Sequence, residues 1–383
     1  MKKALVLATV PSMIEKFNMP NIKLLQELGY EVHVACNFND YGNATFDLIN
    51  NFKYSLDDLN VSYHQIDFAR SPFSLSNFKA FKKLKILQDT EDYSLVHMHT
   101  PVGGVIGRLV FKNYPTKVIY TAHGFHFFKG APVQNWLLYY PVEKYLTKYT
   151  DKLITINQED YDIASSKFKT NVELVNGVGV DIEKFRPTLS DSEKKNIRTE
   201  MGLHSEDFIL TCVGELNTNK NQTFLVDVVN YAKLHGDNFK LLLVGKGDLK
   251  KELEDKINIL GLQDNVYLLG YRTDIKNILE ITDVLVSASF REGLPVNVIE
   301  GMAMGKPLLL SNIRGNRDLV IPNENGFVYN LNDVDYFMDR LVNMKSDKLI
   351  LENYSDSSRE LAKQFNISNV ELVMKDIYLI TGI

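Results

Sequence analysis

DVLVSASFREGLPVNVIEGMAMGKPLLLS, residues 283–311, is the stretch on which the fold turns. DVLVSAS (283–289) and PLLLS (307–311) are short apolar runs of strand type, and between them a helical pattern begins at Pro295. Two strands joined by a helix form a crossover, which places the strands parallel in one sheet. Both runs are apolar at successive positions, as expected of a sheet covered on both faces.

The same unit recurs outward in both directions. FILTCVG (208–214), KLLLVG (240–245) and NVYLLG (265–270) complete a set of strands in the second half, and several end in Gly, which suits a tight strand-to-helix turn. The first half offers ALVLA (4–8), EVHVA (31–35), VSYHQI (61–66), LVHM (95–98), KVIYTA (117–122), KLITI (152–156) and VELV (172–175). Between the halves stand Arg186-Pro187 and a charged segment, SDSEKKNIR. The expected fold class is therefore α/β, with two doubly wound, Rossmann-like domains facing across a cleft. The first covers 1–185 and the second 186–365. The last helical pattern is amphipathic and is expected to pack back, over about 366–383, on the first domain. Ligands of such open sheets bind at the carboxyl ends of the strands, so the cleft is the expected active site.

Composition narrows the function classes. The net charge of −5 argues against a dedicated nucleic-acid binder, which carries a basic excess. The charge is uneven, however: residues 70–129 hold 9 basic and 3 acidic side chains, which suits a surface meeting an anionic partner such as a membrane. FKAFKKLKIL (78–87) and WLLYYPVEKYLTKY (136–149) combine aromatic or aliphatic residues with lysines. They read as an interfacial patch or as helices packed on their own sheet. Two cysteines, Cys36 and Cys212, end strand-like runs and are expected to be buried free thiols of a reduced, cytoplasmic protein. The apolar run near the N-terminus is about seven residues and reads as a first strand, not a signal peptide. No stretch approaches the roughly 18 apolar residues of a membrane span.

Within the opening stretch, Glu292 and Glu300 stand eight positions apart. With Pro295 at the first helical position, 295, 298, 299 and 302 form one buried stripe. Asn297 and Glu300 then share the opposite face, and Gly301 is expected to keep that face shallow for a ligand. The amides of Val296, Asn297 and Val298 have no intrahelical partner, which makes the helix start an anion site. Glu300, about one and a half turns along, is placed to accept hydrogen bonds from a diol such as a ribose. Taken alone, the two acids also read as a capping carboxylate and an exposed helix carboxylate.

In its surroundings the stretch resembles the Glu-x7-Glu signature of retaining glycosyltransferases of family 4, which have the GT-B fold. VGELNTNKNQ (213–222), LVGKGDLKKEL (243–253) and LLGYRTDI (268–275) resemble that family's other segments, in the same order. HMHTPVGGVIGRL (97–109), YTAHGFHFFKGAPVQNWLLYYPVEKY (120–145), NGV (176–178) and SNIRGNRDLV (311–320) resemble bacterial enzymes that build capsular polysaccharide and exopolysaccharide. The resemblance implies a UDP-sugar donor, a saccharide acceptor on undecaprenyl diphosphate, retention of configuration, and no metal or other cofactor. Such a protein works at the inner face of the cell membrane. A UDP-sugar epimerase or hydrolase on the same fold, or a non-catalytic sugar-nucleotide binder, are the alternatives.

For individual residues, the resemblance implies catalytic roles for His123, Lys220 and Glu292. Lys220 neutralises the leaving diphosphate, His123 contacts the donor sugar, and Glu292 positions that sugar. The implied nucleotide-binding set is Gly214, Gly245, Lys246, Arg272, Gly293, Leu294, Pro295, Val296, Asn297 and Glu300, with Gly245 and Arg272 flanking the uracil. His99, Gly103, Gly104 and His126 are candidates on the acceptor side. By themselves, Lys220 is an ordinary surface lysine, His123 an ordinary buried histidine, and Thr100-Pro-Val-Gly-Gly104 either an acceptor site or a plain turn with a helix cap. The family places Arg where this chain has Glu215. A second diphosphate cation is then sought among Arg272, Lys246 and Arg291.

Overall fold

The computed structural model describes residues 1–40 and 46–382. The chain divides into two compact units, Met1–Gly179 with Ser368–Ile383, and Val180–Ile367. The sequence placed the first crossing at 185/186. It lies earlier because Val180 joins the second unit through its backbone, donating to Phe365 O at 2.9 Å and accepting from Ile367 N at 3.0 Å.

In the first unit, β1 (Lys3–Leu7), β2 (Glu31–Cys36), β3 (Ser62–Gln65), β4 (Leu95–His99), β5 (Lys117–Ala122), β6 (Lys152–Thr155) and β7 (Asn171–Leu174) form a parallel sheet. Their order is β3-β2-β1-β4-β5-β6-β7. The central strands β4 and β6 are buried along their whole length and β1 at all but its first residue, which explains their apolar runs. Each fully buried aliphatic side chain contributes about 1.5–3 kcal/mol. The C-terminal helix Ile367–Gly382 packs Val370, Met374, Ile377 and Tyr378 against residues of β1 and β2.

In the second unit, β8 (Ile209–Val213), β9 (Lys240–Val244), β10 (Val266–Gly270), β11 (Val284–Ser287), β12 (Leu308–Ser311) and β13 (Gly326–Tyr329) run parallel in the order β10-β9-β8-β11-β12-β13. The sequence reading did not foresee β13, a four-residue edge strand that opens on a glycine. The charged segment before β8 folds as the helix Asp191–Glu200, started by a capping box in which Ser190 and Glu193 bond each other's backbone.

In both sheets the strand order reverses beside the first strand. The crevice between β1 and β4 and that between β8 and β11 are therefore the positions where open α/β sheets bind ligands. Both cysteines are free and buried, and burial pushes the Cys212 thiol up to about 12.

Candidate active site

At the carboxyl end of the second sheet, the loop after β8 and the loop after β11 are tied together. The Phe290 amide donates to Asn219 O at 2.8 Å, and the Asn219 side-chain amide donates to Arg291 O at 2.9 Å. Across this seam Lys220 Nζ meets Glu292 Oε1 at 2.6 Å. Lys220 is anchored from below, its amide donating to Asn217 Oδ1 at 3.0 Å. Gly214 at the strand end gives the lysine its path: a Cβ there would sit 3.2 Å from Lys220 Cε. Gly245 is equally constrained, since a Cβ would lie 1.9 Å from Gly214 O, and its φ of +151° is one that other residues seldom adopt. At these two glycines the ends of β8, β9 and β10 close up, with the Gly214 amide donating to Val244 O and the Gly245 amide to Gly270 O, both at 2.9 Å.

The Glu292 loop is also supported from behind. Arg314, 4% exposed, donates from Nε to Glu292 O at 3.1 Å. Gly315 packs so closely that a Cβ would meet Gly293 O at 2.3 Å. Leu294 and Pro295 are buried beneath the turn. Arg314 stands 22 positions beyond Glu292, so its support of the Glu292 loop is a tertiary contact with no local sequence pattern.

The helix that follows differs from expectation in three ways. It runs Val296–Ala303, with Pro295 as the extended N-cap and not the first helical residue. The Val298 amide already donates to Pro295 O at 3.1 Å, so Val296 and Asn297 carry the open amides at this end. Gly301 does not open a ligand face, because it lies against β11, where a Cβ would come 2.5 Å from Leu285 Cδ2. Asn297 bonds Val213 O through its side-chain amide at 2.6 Å, which fastens the helix start to the end of β8. Glu300 keeps its place on the less buried face. Burial raises its carboxyl to about 7, with only Lys184 pulling the other way.

Of the three cations sought beside Lys220, Arg272 is committed to Asp274 through two bonds of 2.7 and 2.6 Å. That pairing raises the guanidinium and lowers the carboxyl. Lys246 Nζ lies 5.5 Å over the Tyr271 ring. Arg291 is exposed, and its side chain has no partner among the described residues. Glu215 accepts from the Asn217 side-chain amide at 3.1 Å.

In the first unit, Thr9 after β1 and Thr100 after β4 join at the crevice, amide to Oγ1 at 3.0 Å and hydroxyl to hydroxyl at 2.7 Å. Thr100 has a φ of +69° and caps the helix Pro101–Phe111. Gly103 and Gly104 are closely packed residues of that helix. A Cβ on Gly103 would meet Thr100 Oγ1 at 2.9 Å, and one on Gly104 the Tyr120 ring at 2.4 Å.

Three histidines stand side by side at this end. His99 Nδ1 and His123 Nε2 are 3.1 Å apart, and the His97 and His99 rings are 4.1 Å apart. Burial lowers His97 to about 3, His123 to about 4, and His99 well below the ordinary value, so all three are neutral at pH 7. The loop carrying His123 is fixed by Asp160, which accepts from the Phe125 amide at 3.0 Å, and by Glu159, which accepts from the Lys129 amide at 2.6 Å. His126 does not join the trio but stacks on Tyr139, with ring centres 4.5 Å apart. Among the described residues, no group of three or more His, Cys, Asp or Glu side chains is arranged to hold a metal ion.

Two family descriptions match this chain: Glycosyl transferase 4-like over residues 7–157 and Glycosyl transferases group 1 over residues 193–364. The putative glycosyltransferase EpsD of Bacillus subtilis is 38% identical, over 98% of this chain and 96% of its own length. The UDP-Gal:alpha-D-GlcNAc-diphosphoundecaprenol alpha-1,3-galactosyltransferase of Escherichia coli is 29% identical over 96% of this chain and 93% of its own. Among solved structures, HepE of Anabaena in complex with UDP superimposes with a TM-score of 0.77 at 19% identity, covering 98% of this chain and 99% of that one. The chain belongs to the glycosyltransferases, with the two-sheet GT-B architecture, and a 24% identical relative in Staphylococcus aureus is named as a capsular polysaccharide biosynthesis glycosyltransferase.

Proposed function

We propose that this glycosyltransferase moves a sugar, with retention of configuration, from a UDP-sugar to a saccharide acceptor carried on undecaprenyl diphosphate. The observation that carries the reading is the Lys220–Glu292 pair beside the open amides of Val296 and Asn297. An ammonium has three N–H donors, so Lys220 holds Glu292 with one and offers the rest to a diphosphate. As the donor C–O bond breaks, negative charge grows on the leaving UDP, and a fixed cation with helix amides stabilises it without any proton transfer. Glu292, held by the lysine, positions the sugar and is not free to attack it. Retention then follows from same-face attack, with the departing phosphate taking the acceptor proton. Glu300 receives the ribose diol, and neutral His123 bonds a donor-sugar hydroxyl. The E. coli relative named for an undecaprenol-linked acceptor, and HepE solved with UDP-glucose, support these substrate classes.

A lipid-linked acceptor also calls for contact with a membrane surface. No helix among the described residues is long and apolar enough to cross a membrane. The helix Val133–Leu146 instead exposes Val133, Leu137, Leu138, Val142 and Tyr145, with Lys144 and Lys148 alongside. Exposed Phe73, Leu75 and Phe78, with Lys82 over the Phe78 ring, add a second patch. We assign both to the inner face of an anionic bilayer.

A screen of radiolabelled UDP-sugars against native lipid-linked acceptors tests the reading. One donor is expected to give product that appears only when acceptor is present. Turnover of a UDP-sugar without acceptor means an epimerase or hydrolase, and UDP binding without turnover across the panel means a binding protein. The same acceptors in anionic vesicles test the surface. Leu137→Ser with Leu138→Ser is expected to cut vesicle co-sedimentation several-fold; unchanged sedimentation removes the membrane assignment.

A further inference from the structure

His99 has a feature that its neighbours lack. Its Nε2 is buried and has no hydrogen-bond partner among the described residues, while its Nδ1 faces His123 Nε2 at 3.1 Å. His97, two residues earlier on β4, is satisfied at both nitrogens. Tyr378 OH lies 2.7 Å from Nδ1 and Thr121 Oγ1 lies 2.8 Å from Nε2. The Tyr378 ring comes from the C-terminal helix, 281 residues away, and packs edge-on to His97 at 5.7 Å.

A neutral imidazole has one N–H and one lone pair, so the two rings can share their bond in two ways only. If His123 donates from Nε2, then His99 carries its own proton on Nε2. That arrangement strands an N–H in a buried site, a kind of orphan that native structures rarely tolerate. If His99 donates from Nδ1, its buried Nε2 is a bare lone pair, and His123 must carry its proton on Nδ1. Among the described residues, His123 Nδ1 has no partner. The groups facing the pair are His97, Thr121 and Tyr378, and none of them is a carboxylate or an ammonium that would impose the opposite arrangement.

We infer that His99 is a positioning residue that fixes His123 as an Nδ1–H donor, with His97 and Tyr378 holding the His99 ring in place. This rests on the reading of His123 as the group that bonds the donor sugar. The Nδ1–H of His123 is directed at an oxygen of the sugar, which accepts the hydrogen bond. His123 then offers a hydrogen bond of fixed direction and is not a general acid, because it stays neutral through the physiological range. The arrangement makes the C-terminal helix part of the site's support, through Tyr378, although that helix carries none of the proposed substrate contacts.

The experiment is a long-range ¹⁵N–¹H correlation spectrum of the histidines in the intact protein, assigned through His99→Leu and His123→Gln. The wild type is expected to show His123 protonated on Nδ1. His99→Leu is expected to move His123 toward the Nε2–H form and to lower kcat about tenfold or more, with the donor KM little changed. His99→Asn, whose amide nitrogen takes the place of Nδ1, is expected to restore both the tautomer and most of kcat, which a merely structural role would not do. A wild-type His123 protonated on Nε2 overturns the inference whatever the variants do. A correct tautomer with full transfer by His123→Ala leaves the positioning intact but removes the sugar contact it was assigned to serve, so the two failures are distinct.

Discussion

Lys220→Ala is expected to lower kcat/KM for glycosyl transfer by about 10²–10³-fold, the usual loss when one preorganised group facing transition-state charge is removed. Most of the loss should fall on kcat, because the diphosphate gains charge only as the bond breaks. Steady-state transfer with saturating acceptor checks this. Glu292→Gln is expected to cost less, about tenfold, since the amide still accepts a bond from Lys220 across the 2.6 Å contact and still touches the sugar. The double variant should lose less than the two single effects multiplied. With Lys220 gone, the Glu292 carboxylate faces the diphosphate uncompensated, and removing it then relieves repulsion. Lys220→Arg is not expected to rescue, because a broad planar guanidinium cannot follow the path left by Gly214. Near-wild-type transfer by Lys220→Ala, with an unchanged melting temperature, ends the assignment.

Glu300 carries the second large effect. Burial raises its carboxyl from 4.5 to about 7, so the folded protein holds a proton there that the unfolded chain has lost. Between those values the native state binds more protons, and this group's contribution to stability falls as pH rises from about 4.5 to about 7, then levels. A ribose diol donates two hydrogen bonds to the ionised form and pulls the pKa back down. Nucleotide affinity is therefore expected to rise with pH up to about 7, and binding at pH 6 should release a proton. Calorimetric titration of UDP in buffers of different ionisation enthalpy counts that proton directly. Glu300→Gln should remove the proton release, flatten the pH profile and weaken UDP at pH 8 by at least tenfold, since bonds to a charged acceptor contribute about 1.5–3 kcal/mol. The same variant should melt at a higher temperature than wild type at pH 8 without nucleotide. A pH-independent UDP affinity in the wild type excludes the ribose role.

The fold was legible because burial on both faces leaves a sequence signal that needs no partner to read. FILTCVG and KLLLVG are apolar at successive positions, and they became the buried strands β8 and β9. The edge strand Gly326–Tyr329 left only four residues after a turn and went unread. The surroundings of the site residues were hidden for a different reason. Gly103, Gly104 and Gly301 look open in sequence because they lack side chains, yet that lack is filled by Thr100, Tyr120 and Leu285. Asn297 sits on the foreseen helix, but its amide is bonded to a strand 84 positions away. Lys220 and Glu292 were each singled out by the resemblance. That they bond one another across 72 positions is tertiary information with no local pattern. The His97–Tyr378 bond spans 281 positions and is hidden for the same reason.

The most direct test of the central claim is the anomeric configuration of the product. A UDP-α-sugar labelled with ¹³C at the anomeric carbon is transferred to a lipid-linked acceptor, and the one-bond C–H coupling of the new linkage is read by NMR. An α linkage is expected, formed with Lys220 and Glu292 both intact and absent without acceptor. A β linkage would contradict it, because inversion requires a base opposite the leaving group, whereas the proposed same-face attack delivers the acceptor proton to the departing phosphate.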